Sequence, residues 1–304
     1  MKILVFGRNQ TDYMQDDLYH GLKSLYGTDV ECNTHIEYLY KDYQEDLAYL
    51  YGRGFSYAKN LDPALRVVVS EKEISEKLDS KYYDAVIYLS FFRCNQQFDE
   101  VTAKVDKNKI GVIDGEDDTL MCFSPPGFKT FKRELLVEPT ASLFPISFAM
   151  PEEKIWNEPV EKLQMFSNQV PIVTGWIKQP NVRNRLLPLD YKFNTSSYQF
   201  KNEKDYYDDY KKSKYAFTFK KGGWDCKRHY EILANKCIPL FPDVDDLPQH
   251  IMTTYPKKFL SDVYKNYFKV TNDVYNQWLE YLFDYTKNNL TTKHLAKYVL
   301  DKIL

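Results

Sequence analysis

The chain has 304 residues, 43% hydrophobic and 28% charged, which is long enough for two domains with sizeable cores. A net charge of −2 gives no general attraction to nucleic acid or an anionic membrane, so a nucleic acid partner is not expected. No apolar run reaches membrane-spanning length, and five cysteines without a C-x-x-C pair speak against a zinc site or a disulfide framework; a cytoplasmic setting is expected. Residues 2–6 are a mostly apolar run, as a central parallel strand requires, and Gly7 ends it. Thr11 can cap a helix whose Met14, Leu18, Leu22 and Leu25 recur on one face. The loop 8–12 then lies beyond the carboxyl end of a strand, where open α/β sheets bind ligands. Residues 65–70 read as a second strand, 71–82 as helix, 84–90 as a buried strand, 98–107 as helix and 109–114 as strand. An acidic turn with Asp114, Glu116, Asp117 and Asp118 follows. The alternation predicts a doubly wound α/β domain. The polar stretch 151–169 reads as the crossing to a second domain, which opens with a strand over 171–176 that includes Gly175. Arg183 and Arg185 start a short helix just beyond it. Residues 204–212, 271–285 and 292–304 read as helices, the last with Leu295, Tyr298, Val299 and Ile303 on one face.

Residues 214–241 have the pattern strand, glycine turn, helix, strand. The pair Gly222-Gly223 lets the backbone turn sharply and approach a ligand closely. Asp225 can cap the helix that follows. Tyr230, Leu233, Ala234 and Cys237 make its apolar face, and Trp224, Arg228, Glu231 and Asn235 fall on a neighbouring polar one. A helix N-terminus behind a glycine turn suits phosphate, and Lys220, Lys221, Lys227 and Arg228 add positive charge there. Glu231, one turn on, can accept two hydrogen bonds from a ribose diol. The plain alternative is solvated lysines and an Arg228–Glu231 pair along the helix.

The run Arg228-His-Tyr-Glu231-Ile-Leu-Ala, then Cys237-Ile-Pro-Leu, resembles the donor-binding segment of GT-B glycosyltransferases, above all the exostosin-like type. A looser similarity extends to phage DNA β-glucosyltransferase. In such enzymes the arginine contacts the diphosphate of a nucleotide sugar and the glutamate holds the ribose, which assigns those roles here to Arg228 and Glu231. Lys236 stands where the family usually has glycine, and Asn235 beside it tolerates a left-handed turn. The resemblance implies two Rossmann-like doubly wound domains facing across a cleft, with the C-terminal helix crossing back onto the first. The division expected is 1–165 with 292–304, and 166–291.

Sugar transfer needs a stabilised leaving diphosphate, a base for the acceptor hydroxyl and a dry cleft. The donor site is expected from Arg228, Glu231, Lys220, Lys221, Gly222, Gly223 and Trp224, with Arg183 and Gly175 near the diphosphate. Asp114, directly after a strand, is the first candidate for the base, and Glu116 and Asp117 on the same turn compete. Asp12 and Asp16 form a second group with His20. The bland reading of Asp12, Asp16 and Asp17 is favourable charge in a first helical turn. Asp243 and Asp245 have the spacing of a metal-binding pair, but they follow the nucleotide helix, so neither a metal nor another cofactor is expected. The function expected is a hexosyl- or pentosyltransferase using a UDP- or GDP-linked donor and a glycan or other hydroxyl acceptor. The rivals are a DNA-modifying glucosyltransferase and a non-catalytic nucleotide- or sugar-binding protein.

Overall fold

The computed structural model describes residues 1–120, 127–169 and 199–304. Its first sheet is built on β1 (Ile3–Phe6), in which every residue is buried. Ile3 and Val5 enter one core and Leu4 and Phe6 another, so both faces of the strand are covered. β2 (Val30–Cys32) pairs with β1 on one side and β3 (Ala85–Tyr88) on the other. β4 (Ile110–Asp114), β5 (Lys129–Lys132) and β6 (Leu143–Pro145) continue outward from β3, with every pairing parallel. The chain leaves β1 to one side first and returns to the other, so the switch point of the sheet lies between β1 and β3. Helix α1 (Tyr13–Tyr26) packs on the Ile3/Val5 face, and α2 (Glu71–Asp79) and α3 (Phe98–Lys104) pack on the opposite face. Ser70 and Glu73 cap α2 reciprocally.

The second lobe has a parallel sheet of β7 (Gln164–Phe166), β8 (Ser213–Phe217) and β9 (Ile238–Leu240) among the described residues. It is flanked by α4 (Glu203–Lys212), α5 (Lys227–Ala234), α6 (Lys257–Asn266) and α7 (Asn272–Asn289). The last helix, α8 (Thr292–Ile303), returns to the first lobe, as expected. Its start is tied to the outgoing chain, since Met150 N–H donates to Leu290 C=O and Thr292 N–H donates to Met150 C=O, each at 2.9 Å. Two glycines make room for it. A Cβ on Gly21 of α1 would stand 2.0 Å from Thr292 O, and one on Gly111 of β4 would stand 2.5 Å from Ile303 Cδ1.

Several local expectations change. Residues 65–70 are not a strand; the second strand is Val30–Cys32, and Val68 only bridges to Cys32 alongside it. The cap of α1 is Asp12 rather than Thr11, with Oδ1 accepting from Met14 N–H (3.1 Å) and Gln15 N–H (3.3 Å). The polar stretch 151–169 contains β7, which straddles the expected boundary at residue 165. Asp225 does not cap α5; Cys226 occupies that position without a side-chain bond. The left-handed residue after α5 is Lys236 (φ 53°), not Asn235. It therefore stands where a glycine would cost least. The expected strand over 171–176 and the arginines beyond it lie outside the described residues.

Candidate functional site

A cleft of ≈ 730 Å³ runs between the lobes. Its first wall comes from segments beyond the carboxyl ends of strands: Asp12 after β1, Arg93 after β3, Gly115–Asp117 after β4 and Arg133 after β5. Its second wall comes from the turn before α5 and from α5 itself, with Lys221, Gly222, Gly223, Arg228 and Glu231, joined by Tyr206 of α4.

Asp12 sits at the switch point. Its Oδ2 accepts from the Ser90 hydroxyl (3.0 Å) and lies 3.4 Å from the Arg93 guanidinium. Arg93 in turn grips Glu116 with two bonds, at 2.6 and 2.7 Å. Asp114 is placed differently. It lies opposite Lys132 across the β4–β5 pair, and its Oδ1 accepts from Lys132 Nζ at 2.9 Å with both groups buried. Its Oδ2 is buried without a partner among the described residues, and the residue does not line the cleft. Asp114 closes β4, close to the place expected, but its carboxylate is engaged by Lys132 and does not reach the cleft where the base was expected. Asp16 and Asp17 are likewise buried rather than solvated: Asp16 Oδ1 accepts from the Tyr38 hydroxyl at 2.7 Å, and Asp17 pairs with Lys227 of the other lobe at 2.5 Å. His20 is buried between Thr292 Oγ1 and Glu153 Oε1, at 2.8 Å from each, and does not line the cleft.

The glycine pair serves a contact that the sequence did not reveal. A Cβ on Gly222 would come 2.7 Å from Asp117 Oδ2, and one on Gly223 would come 2.5 Å from Glu134 Oε1. Glu134, itself buried, accepts from Trp224 N–H (3.1 Å) and Asp225 N–H (2.9 Å). A protein carboxylate thus occupies the two N–H groups that lie between the glycine pair and the N-cap of α5. Arg133 binds the same junction: it is 1% exposed, donates to Gly115 C=O (2.9 Å) and Asp225 C=O (2.6 Å), and pairs with Asp117. Asp225 accepts from Phe148 N–H and the Tyr230 hydroxyl, both at 2.8 Å, and burial pushes its carboxyl up to about 7.

The remaining charges decide what the cleft can hold. Arg93, Arg133 and Lys227 are each matched by a carboxylate. Lys220 turns onto the Trp224 ring, 4.9 Å from its centroid, and neither residue lines the cleft. Lys221 and Arg228 do line it, and neither is ion-paired among the described residues. Arg228 Nη1 is buried without a hydrogen-bond partner among those residues, in contrast to the plain alternative of an Arg228–Glu231 pair along the helix. Burial, with the Arg228 charge second, lowers the Lys221 pKa. Glu231, 5% exposed, instead accepts hydrogen bonds from the hydroxyls of Ser56 and Tyr206. Burial raises its pKa and those two bonds oppose the rise. His229 is not a base: it is buried between Thr218 Oγ1 and Trp224 C=O, and burial holds its pKa down to about 3.

Lys221, Gly222, Gly223, Arg228, Glu231 and Asp12 are therefore gathered at one cleft, while Asp114, Lys220 and Trp224 stand outside it. Gly175 and Arg183 lie outside the described residues. Asp243 accepts from Lys220 N–H and Asp245 pairs with Lys265, each within the second lobe. Sequence reasoning missed Arg93, Arg133, Glu134 and Ser56. For none of these did the sequence carry a clear signal: Lys132-Arg133-Glu134 follows the mixed run Lys129-Thr-Phe131 and reads as an ordinary charged stretch, and only the fold shows all three side chains to be buried.

Neither a sequence-family profile nor an individual characterised protein matches this chain in sequence. Among solved structures, one similar chain is an α-glucosyltransferase in complex with UDP and a 13-mer DNA containing a central A:G mismatch. The match covers 100% of this chain and 99% of that one, at 10% identity and a TM-score of 0.48.

Proposed function

We propose that the protein is a glycosyltransferase that moves a sugar from a nucleotide-diphosphate donor to an acceptor hydroxyl. The observation that carries this is the state of Arg228. A buried guanidinium with a donor left unused among the described residues, beside a second cation and on the first turn of α5, is costly unless an anion completes it. A diphosphate fits that place, held by Arg228, Lys221 and the helix dipole. The same groups would stabilise the charge that builds on the leaving diphosphate, the part that a divalent ion would otherwise play. Glu231, one turn along α5, is in line to meet the ribose.

Asp12 takes the role of base in this reading. It faces the donor wall from the switch point of the first sheet, whereas Asp114 is engaged by Lys132 away from the cleft. Arg93 and Ser90 orient its Oδ2, so the acceptor hydroxyl would approach from the cleft and give its proton to that carboxylate.

The test is a calorimetric titration with UDP and GDP, followed by assays of donor turnover. Wild-type protein should bind at least one of the two. Arg228→Ala should weaken that binding by ~10- to 100-fold, the worth of a charge-assisted bond to phosphate. Donor hydrolysis without an acceptor would separate an enzyme from a passive binding protein. If Arg228→Ala binds the nucleotide as tightly as wild type, the donor site lies elsewhere.

A further inference from the structure

A strap of the first lobe, residues 51–56, covers the ribose end of the cleft with an uncommon backbone. Gly52 and Gly54 have φ of 61° and 71°, and Arg53 and Ser56, which carry side chains, have 58° and 74°. Such values persist in residues with a Cβ only where surrounding contacts fix them. At Ser56, which is fully buried, those contacts come from Asn60 of the same lobe, whose Nδ2 donates to Ser56 C=O at 3.0 Å, and from the second lobe. Its N–H donates to Glu203 Oε1 at 2.6 Å, and Lys154 Nζ holds the other oxygen of Glu203 at 2.6 Å. Its Oγ lies 2.7 Å from the Tyr207 hydroxyl and also bonds to Glu231 Oε1. A carboxylate can only accept, so the single serine proton goes to Glu231 and Tyr207 donates to the serine oxygen. On Glu231 Oε2 the donor is the Tyr206 hydroxyl, at 2.5 Å. Next to Ser56, the Phe55 ring lies against Tyr206 with centroids 5.4 Å apart.

One hydroxyl proton on each carboxylate oxygen is the arrangement that a vicinal diol imposes. In this protein the two hydroxyls come from different lobes, one of them on a strap whose backbone is held out of its ordinary range. We propose that Ser56 and Tyr206 hold the places of the two ribose hydroxyls on Glu231, and that both give way when a ribonucleotide enters. The strap then opposes binding until both hydroxyls of the sugar are present, and the site selects ribose over 2′-deoxyribose. The inference rests on the reading that Glu231 meets the donor ribose.

The experiment compares the Kd of UDP and of dUDP for wild type, Ser56→Ala and Ser56→Gly. Glycine accepts the positive φ at this position, so the second variant keeps the fold if the first does not. Loss of the Ser56 hydroxyl should tighten UDP binding by ~3- to 10-fold, with a smaller gain for dUDP. A wild type that binds UDP, with variants that bind it equally or more weakly, overturns the place-holder and leaves the donor site standing. Equal gains for UDP and dUDP overturn the selection of ribose. A wild type that binds neither UDP nor GDP overturns the donor-site reading itself, and this inference with it.

Discussion

Asp12 follows one strand of the first sheet and Asp114 closes another, and both are carboxylates near the same cleft. What separates them is the partner of each. Asp114 has a buried ammonium at 2.9 Å, so its charge balances Lys132 inside the lobe. Asp12 has a guanidinium at 3.4 Å that is already committed to Glu116, and it faces open space. The two variants should therefore fail in different ways. Asp12→Asn keeps the helix cap, since asparagine caps as well as aspartate, but it cannot take a proton. We expect kcat to fall by ~10²- to 10⁴-fold with nucleotide affinity unchanged. Asp114→Asn leaves Lys132 buried without its counter-charge, which costs ~3–5 kcal/mol. It should appear as a lower denaturation midpoint, with the activity of the remaining folded protein near normal. If Asp114→Asn folds stably and loses turnover instead, the base is Asp114 and not Asp12.

At the scale of elements, the turn between β8 and α5 gives the clearest lesson. Two adjacent glycines suggested a ligand in close approach. The close approach exists, but the other body is the first lobe: Glu134 at Gly223 and Asp117 at Gly222. Gly223→Ala should therefore act on the junction. A Cβ 2.5 Å from Glu134 Oε1 forces that carboxylate off the N–H groups of Trp224 and Asp225. We expect a loss of ~2–3 kcal/mol in stability, measured by denaturant unfolding. Unchanged stability would show that the turn and Glu134 move apart freely. Elements buried on both faces, such as β1, β3 and β4, were legible because a run of apolar residues has few other uses. β2 was not, because it is three residues long and carries Glu31, whose charge is met by Lys77 and Tyr83 from distant segments. β7 is short, half exposed and, among the described residues, at the edge of its sheet, which leaves no apolar pattern to read. Within the site, the α5 residues were legible through helical spacing. Arg133 and Glu134 were not, because their partners sit about ninety residues away in the chain.

For the whole molecule, buried carboxyls set a pH dependence. Asp225 and Asp243 are both pushed up to about 7 by burial. In the unfolded chain such groups lose their proton near pH ~4. Between those values the folded state binds the extra proton, so this contribution to stability is present below pH ~4 and lost as pH rises towards 7. Asp225→Asn has no proton to lose and should flatten part of that decline in melting temperature, with Asp243 and the other carboxyls that burial raises, Asp16, Asp17 and Glu231, providing the rest. A decline of unchanged slope in the variant would mean that Asp225 is ionised throughout, compensated by the Arg133 charge that opposes its rise.

The pairing of Lys227 with Asp17, and of Glu134 with the turn before α5, bears on how this chain can be cut or recombined. Each half carries a formal charge whose neutraliser belongs to the other half, so a gene fragment encoding either alone would yield a polypeptide with stranded ions in its interior. Chimeras that graft the second lobe onto a foreign partner would strand the charge of Lys227 unless the recipient supplies an acid at the position of Asp17, and would leave the N–H groups of Trp224 and Asp225 without their acceptor unless it supplies one at that of Glu134.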